Sequence, residues 1–132
     1  MRNRNRTGEE KLWAALAHVA IVPVLTLYGL GLFITILIYY FKRRTSPWMA
    51  FQGLQALTFQ AIAFTVFAPV RFLIQDTGES NSMSSPLYWV QVLLILVFFY
   101  AVMGATRCAL GYNFRYPLIG RRIQQRFRVQ EQ

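Results

Sequence analysis

Three long apolar runs decide what this chain can fold into: residues 12–41, 51–72 and 87–110, joined only by short polar segments. A soluble domain of 132 residues is rarely 55% hydrophobic and 16% aromatic. In lipid, a continuous helix pairs its own backbone N–H and C=O groups, so runs of about 20 apolar residues suit membrane helices. The reading is an all-α membrane protein of about four helical segments, with a short amphipathic C-terminal helix.

Charge refines this. The chain carries 14 Lys+Arg against 5 Asp+Glu, a formal net charge of +9. These charges lie between and outside the apolar runs and are not interleaved with exposed aromatics, so no nucleic acid partner is expected. They fit the positive-inside pattern of membrane proteins. Three domains follow: a basic N-terminal tail over 1–7, a single helical membrane domain over 8–111, and a cytoplasmic basic amphipathic tail over 112–132. Glu9 and Glu10 interrupt the early arginines, and no clear cleavage site follows, so the first segment is expected to stay.

Thr7 and Glu10 have the spacing of a capping box, which predicts a helix starting near Gly8. As one helix, residues 12–41 would be about 45 Å long, too long for a hydrocarbon core of about 30 Å, yet too short for two full spans. Pro23, Thr26, Gly29 and Gly31 cluster in the middle. A broken or re-entrant hairpin is expected, with arms near 8–22 and 31–41 and a turn over 23–30; the alternative is a single long, strongly tilted span. A hairpin also keeps the basic residues at both of its ends on one side of the membrane.

Ser46 and Pro47 suit the cap and first turn of the next helix, which Pro69 should kink or end, with Arg71 snorkelling to the far interface. Residues 75–86 read as a plain outer loop. In the last span, Ala101, Gly104, Ala105 and Cys108 form a small-residue stripe for helix packing. In the tail, Ile119, Ile123 and Phe127 recur at helical spacing among Arg121, Arg122, Arg126 and Arg128. That pattern predicts a helix lying on anionic lipid at the cytoplasmic face.

Candidates for chemistry are few. No acid occurs in an apolar run, which argues against a cation-coupled transporter. No serine sits in a span beside a histidine–carboxylate pair, and Cys108 is the only cysteine. Neither a catalytic residue, a metal site nor a cofactor is expected. What stands out is amide: Gln52, Gln55 and Gln60 share one helical face, and with His18 they define a polar intramembrane face. Such a face must bond to other helices or line a water-filled path.

Three stretches carry a family resemblance: Trp13-Ala14-Ala15-Leu16-Ala17-His18, Phe51-Gln52-Gly53-Leu54-Gln55-Ala56-Leu57 and Tyr116-Pro117-Leu118-Ile119-Gly120. Together they resemble a bacterial family of small multi-pass membrane proteins of unknown function, related to the chloroplast inner-envelope translocon channel subunit. That family commonly has a histidine where this chain has Gln52. The resemblance implies a compact four-segment bundle in the bacterial cytoplasmic membrane, with Trp13, Tyr116 and Pro117 as motif residues. With charge placing both termini in the cytoplasm, the expected role is a non-enzymatic accessory or assembly subunit of a larger membrane complex. Other membrane subunits or further copies of the chain would be its partners. The alternative is a channel-like protein translocation component.

Overall fold

A computed structural model of the chain describes residues 6–27, 29–77, 85–117, 119–120 and 123. Among them, regular structure is helical: α1 Gly8–Val19, α2 Ile21–Thr26, α3 Leu30–Lys42, α4 Pro47–Thr77 and α5 Pro86–Ala109. Residues 1–5 of the expected N-terminal tail, most of the outer loop, and Arg121, Arg122, Arg126, Phe127 and Arg128 lie outside the described residues. So does the side chain of Arg71.

The hairpin forms, with its break placed differently from expectation. α1 starts on the expected capping box: Glu10 N–H donates to Thr7 Oγ1 and Thr7 N–H to Glu10 Oε2. It ends at Val19, four residues before Pro23. A proline ring clashes with the carbonyl four residues earlier and offers it no N–H, so the helix yields there. Pro23 itself sits in the first turn of α2, where no N–H is needed. The turn is correspondingly tighter than 23–30. It closes at Gly29, whose φ of 94° is left-handed.

Gly31 brings the two arms together. A Cβ there would strike the Ala20 carbonyl oxygen, with Val24 N at 2.6 Å. Only glycine lets α3 lie against the broken join of α1 and α2 this closely.

α4 begins as expected, with Ser46 Oγ accepting from Met49 N–H at 3.1 Å. Pro69 does not end it; the helix continues to Thr77. α5 stops at Ala109, and Gly111 follows at φ 80°.

α1 packs against α5, α4 and α3, and α3 lies along α4. The start of α1, the end of α3, the start of α4 and the end of α5 meet at one end of the bundle. There Lys42 Nζ pairs with Glu9 Oε1 at 2.5 Å, and Arg6 Nη1 donates to Gly111 O at 2.7 Å. Arg6 also stacks on Trp48, Lys42 on Trp13 and Arg43 on Tyr40. The described cations outside α4 therefore crowd one end, interleaved with aromatics.

Two described helices are long and apolar enough to cross a membrane, Pro47–Val70 and Tyr88–Ala109. Only 33% and 17% of their apolar windows are buried, whereas the core helix of a soluble protein is mostly covered. Phe33, Ile36, Leu37, Leu93, Leu96 and Phe99 all face outward.

Candidate functional site

The helix break exposes backbone that needs partners, and the glutamines of α4 supply them. Gln60 Nε2 donates to Ala17 O at 2.7 Å, near the C-terminus of α1. Gln60 Oε1 accepts from Thr35 Oγ1 at 2.7 Å, tying in α3.

One and two turns earlier on α4, Gln55 and Gln52 grip a different segment. After Gly111 the chain runs extended, with Phe114 and Tyr116 buried and Asn113, Arg115 and Pro117 exposed. Gln52 Nε2 and Gln55 Nε2 both donate to Phe114 O, at 3.1 and 3.3 Å. Gln55 Oε1 accepts from Tyr116 N–H at 3.0 Å. Gln55 thus pairs with the extended strand as a peptide group would. Gly120 lies close enough that a Cβ there would sit 2.7 Å from Gln55 Oε1.

His18 completes the knot. Its Nε2 lies 3.3 Å from Gln52 Oε1 and its Nδ1 lies 3.0 Å from the Tyr116 hydroxyl. Phe114 O can only accept, so it fixes the Gln52 amide with Oε1 toward the histidine. Nε2–H then donates to Gln52, and Tyr116 O–H donates to Nδ1, which defines one neutral tautomer. Burial pushes the Tyr116 phenol above its ordinary range, so the hydroxyl keeps the proton it donates. Cys108 Sγ–H makes a long contact, 3.5 Å, to the same Gln52 oxygen. Rings close the space: Phe59 stacks on Tyr116 at 4.2 Å, and Phe114 meets His18 edge-on at 5.6 Å.

The polar face therefore gathers as one group: His18, Gln52, Gln55 and Gln60 are at most 1% exposed. Its amides bond to protein partners on α1, α3 and the 114–116 segment. Ala101, Gly104, Ala105 and Cys108 are all buried, and a Cβ on Gly104 would press on Phe114 at 2.9 Å. Trp13 is half-buried and donates to Glu9, while Pro117 is exposed. Ile119 packs against the Tyr116 cluster and Ile123 is buried, so both turn toward the bundle.

Sequence reasoning missed Phe114, Thr35 and Arg6. For Phe114 the signal was a period of two in Phe114-Arg115-Tyr116, the alternation of an extended segment. A cavity of about 210 Å³ opens between the start of α1 and the end of α3, but its acids are engaged, Glu9 with Lys42 and Glu10 with Thr7. No group of three metal-ligating side chains occurs among the described residues.

A family model described as the magnetosome magnetite crystal formation protein family, MamF/MmsF, matches residues 9–123. This overturns the expected kinship with the chloroplast translocon subunit. The stretches that carried that resemblance do meet in space, but short apolar motifs around a buried amide recur wherever helices must hold an irregular segment. No curated protein and no solved structure matches the chain.

Proposed function

This chain belongs to the MamF/MmsF magnetosome magnetite crystal formation protein family, and from that membership we propose that it serves as a non-enzymatic accessory or assembly subunit in the membrane where the crystal forms. The observation that carries this reading is the internal bonding of the polar groups buried around His18 and the α4 glutamines. His18, Gln52, Gln55 and Gln60 bond to one another's helices and to the 114–116 backbone, leaving no free polar group of that knot to act on a substrate. What remains outside is an apolar belt and one basic end.

In this reading α4 and α5 cross the bilayer and the hairpin enters beside them. Trp48 and Tyr112 stand at one aromatic level and Trp89 at the other; from Trp89 to its end at Ala109 α5 runs about 30 Å, the thickness of a hydrocarbon core. The basic end faces the cytoplasm with both termini and touches anionic lipid there. The apolar belt takes lipid, other membrane subunits or further copies of the chain.

Purification in mild detergent from magnetite-forming cells tests the role. The expected result is a fixed stoichiometry with another membrane protein or with itself, and altered crystals when the chain is deleted. A lone monomer, with crystals unchanged by deletion, would sink the reading. A reporter fused after Gln132 checks orientation and should be active only on the cytoplasmic side.

A further inference from the structure

The two membrane faces of this bundle differ in width. At the basic end four helices and the returning segment 112–117 share the cross-section. The hairpin tip, however, stops against α4 at Phe64: a Cβ on Gly29 would lie 3.1 Å from the Phe64 ring. The apolar part of α4 continues to Val70. Phe67 still packs with Ile21 of the hairpin, and three further residues carry α4 about 5 Å beyond it. α5 likewise continues outward along the Ile21–Phe67–Ala101 cluster, against which Leu94 and Val90 still pack, to Trp89 at the far aromatic level. Among the described residues, α4 and α5 are the elements at that level.

The tip is built to end in lipid. Three described backbone donors are satisfied within the turn: Leu27 N–H reaches Pro23 O at 3.0 Å, Gly29 N–H reaches Val24 O at 3.1 Å and Leu30 N–H reaches Leu27 O at 3.1 Å. Leu27 and Leu30 are 58% and 52% exposed. A turn whose described donors bond within it, with leucines facing outward, can lie beneath acyl chains. A helix is about 10 Å across, so losing two of four is a large change of section.

We infer that the protein is a membrane wedge, wide in the basic-side leaflet and narrow in the opposite one, and that it favours bilayers curved with the basic end on the convex face. Lipid tails of the narrow leaflet fill the space beyond the tip. The inference rests on the membrane insertion proposed above.

The full chain, reconstituted from detergent into mixed small sonicated and large extruded vesicles of phosphatidylcholine and phosphatidylglycerol, tests it. Alkaline extraction and flotation first report insertion; a chain that fails to float inserted overturns the membrane reading and the wedge with it. For inserted chains, the expected result is several-fold more protein per lipid in the small vesicles, with the basic end cleaved by external trypsin. Equal density in both sizes, or enrichment with the basic end inside, overturns the wedge alone. Tip depth is read separately with Leu27→Cys in a Cys108→Ala background. The thiol should resist aqueous maleimide from both sides, and labelling from the narrow side overturns the inference.

Discussion

Around Tyr116 the bundle is closed by hydrogen bonds, whereas around Phe67 it is closed by shape. The first region ties α1, α4, α5 and an extended segment through His18, Gln52 and Gln55. The second joins Ile21, Ala63, Phe67 and Ala101 with apolar neighbours only. The difference follows from the backbone each must cover. The packed region is helix against helix, where most peptide groups pair within their own helix. The bonded region contains residues 113–116, which are not helical and would face lipid or protein with unpaired groups. Amide side chains stand in for the peptide partners a sheet would supply.

The largest effect is expected where the two regions join. Gly31→Ala drives a methyl into the Ala20 carbonyl and toward Val24 N, both backbone atoms. Neither can step aside, so the cost should approach the top of the single-substitution range, about 4 kcal/mol. Unfolding in detergent micelles would read it, and a stability near that of the parent would mean the hairpin arms are not so closely joined.

Next comes a direct contest between the regions. Gln55→Leu orphans Tyr116 N–H and removes one of two donors to Phe114 O. An unsatisfied buried group costs about 1–3 kcal/mol, so the loss should lie near the upper end, with faster amide exchange at Tyr116. Phe67→Leu in the packed region keeps most of its volume and should cost less than about 1.5 kcal/mol. Equal costs would dissolve the contrast.

Much of the fold was legible because its signals are local. Thr7 with Glu10, Ser46 with Pro47, and Gly111 each announce a helix end from a few neighbouring residues. The hairpin followed from the length of the apolar run and the charges on either side of it. Pro23 was seen, but its effect lands on the carbonyl four residues back, which moved the break to Val19. Pro69 gave no comparable end, and α4 runs on to Thr77. The amide face was legible as a helical projection; its partners were not. They come from positions 25 to 62 residues away, and the partner of both Gln52 and Gln55 is a backbone oxygen, which any residue type could have supplied.

A smaller effect isolates one bond of the knot. Tyr116→Phe removes the hydroxyl that donates to His18 Nδ1 but keeps the ring that stacks on Phe59. A single interhelical bond in a membrane protein averages about 0.6 kcal/mol, so a loss of about 1 kcal/mol is expected once the bare imidazole nitrogen is counted. A much larger loss would show that the knot acts cooperatively, and Tyr116→Phe combined with Gln52→Leu would measure the coupling.

The smallest effect lies at the rim of the bonded region, where Glu9 joins α1 to α3 through Lys42. The Lys42 ammonium, hydrogen-bonded to it, holds the Glu9 carboxyl below its ordinary value of 4.5, with the Trp13 N–H adding to this. A carboxyl depressed in the folded protein contributes stability above its unfolded value, and that contribution fades as pH falls through the folded one. The pair is solvent-exposed, so salt should screen it and its share should be slight. Comparing the parent with Glu9→Gln in melting experiments should therefore show a small gap at neutral pH that closes as the solution is acidified below 4.5. A gap that persisted in acid would assign Glu9 a role through shape or through its bond to Trp13, extending the bonded region to the surface of the bundle.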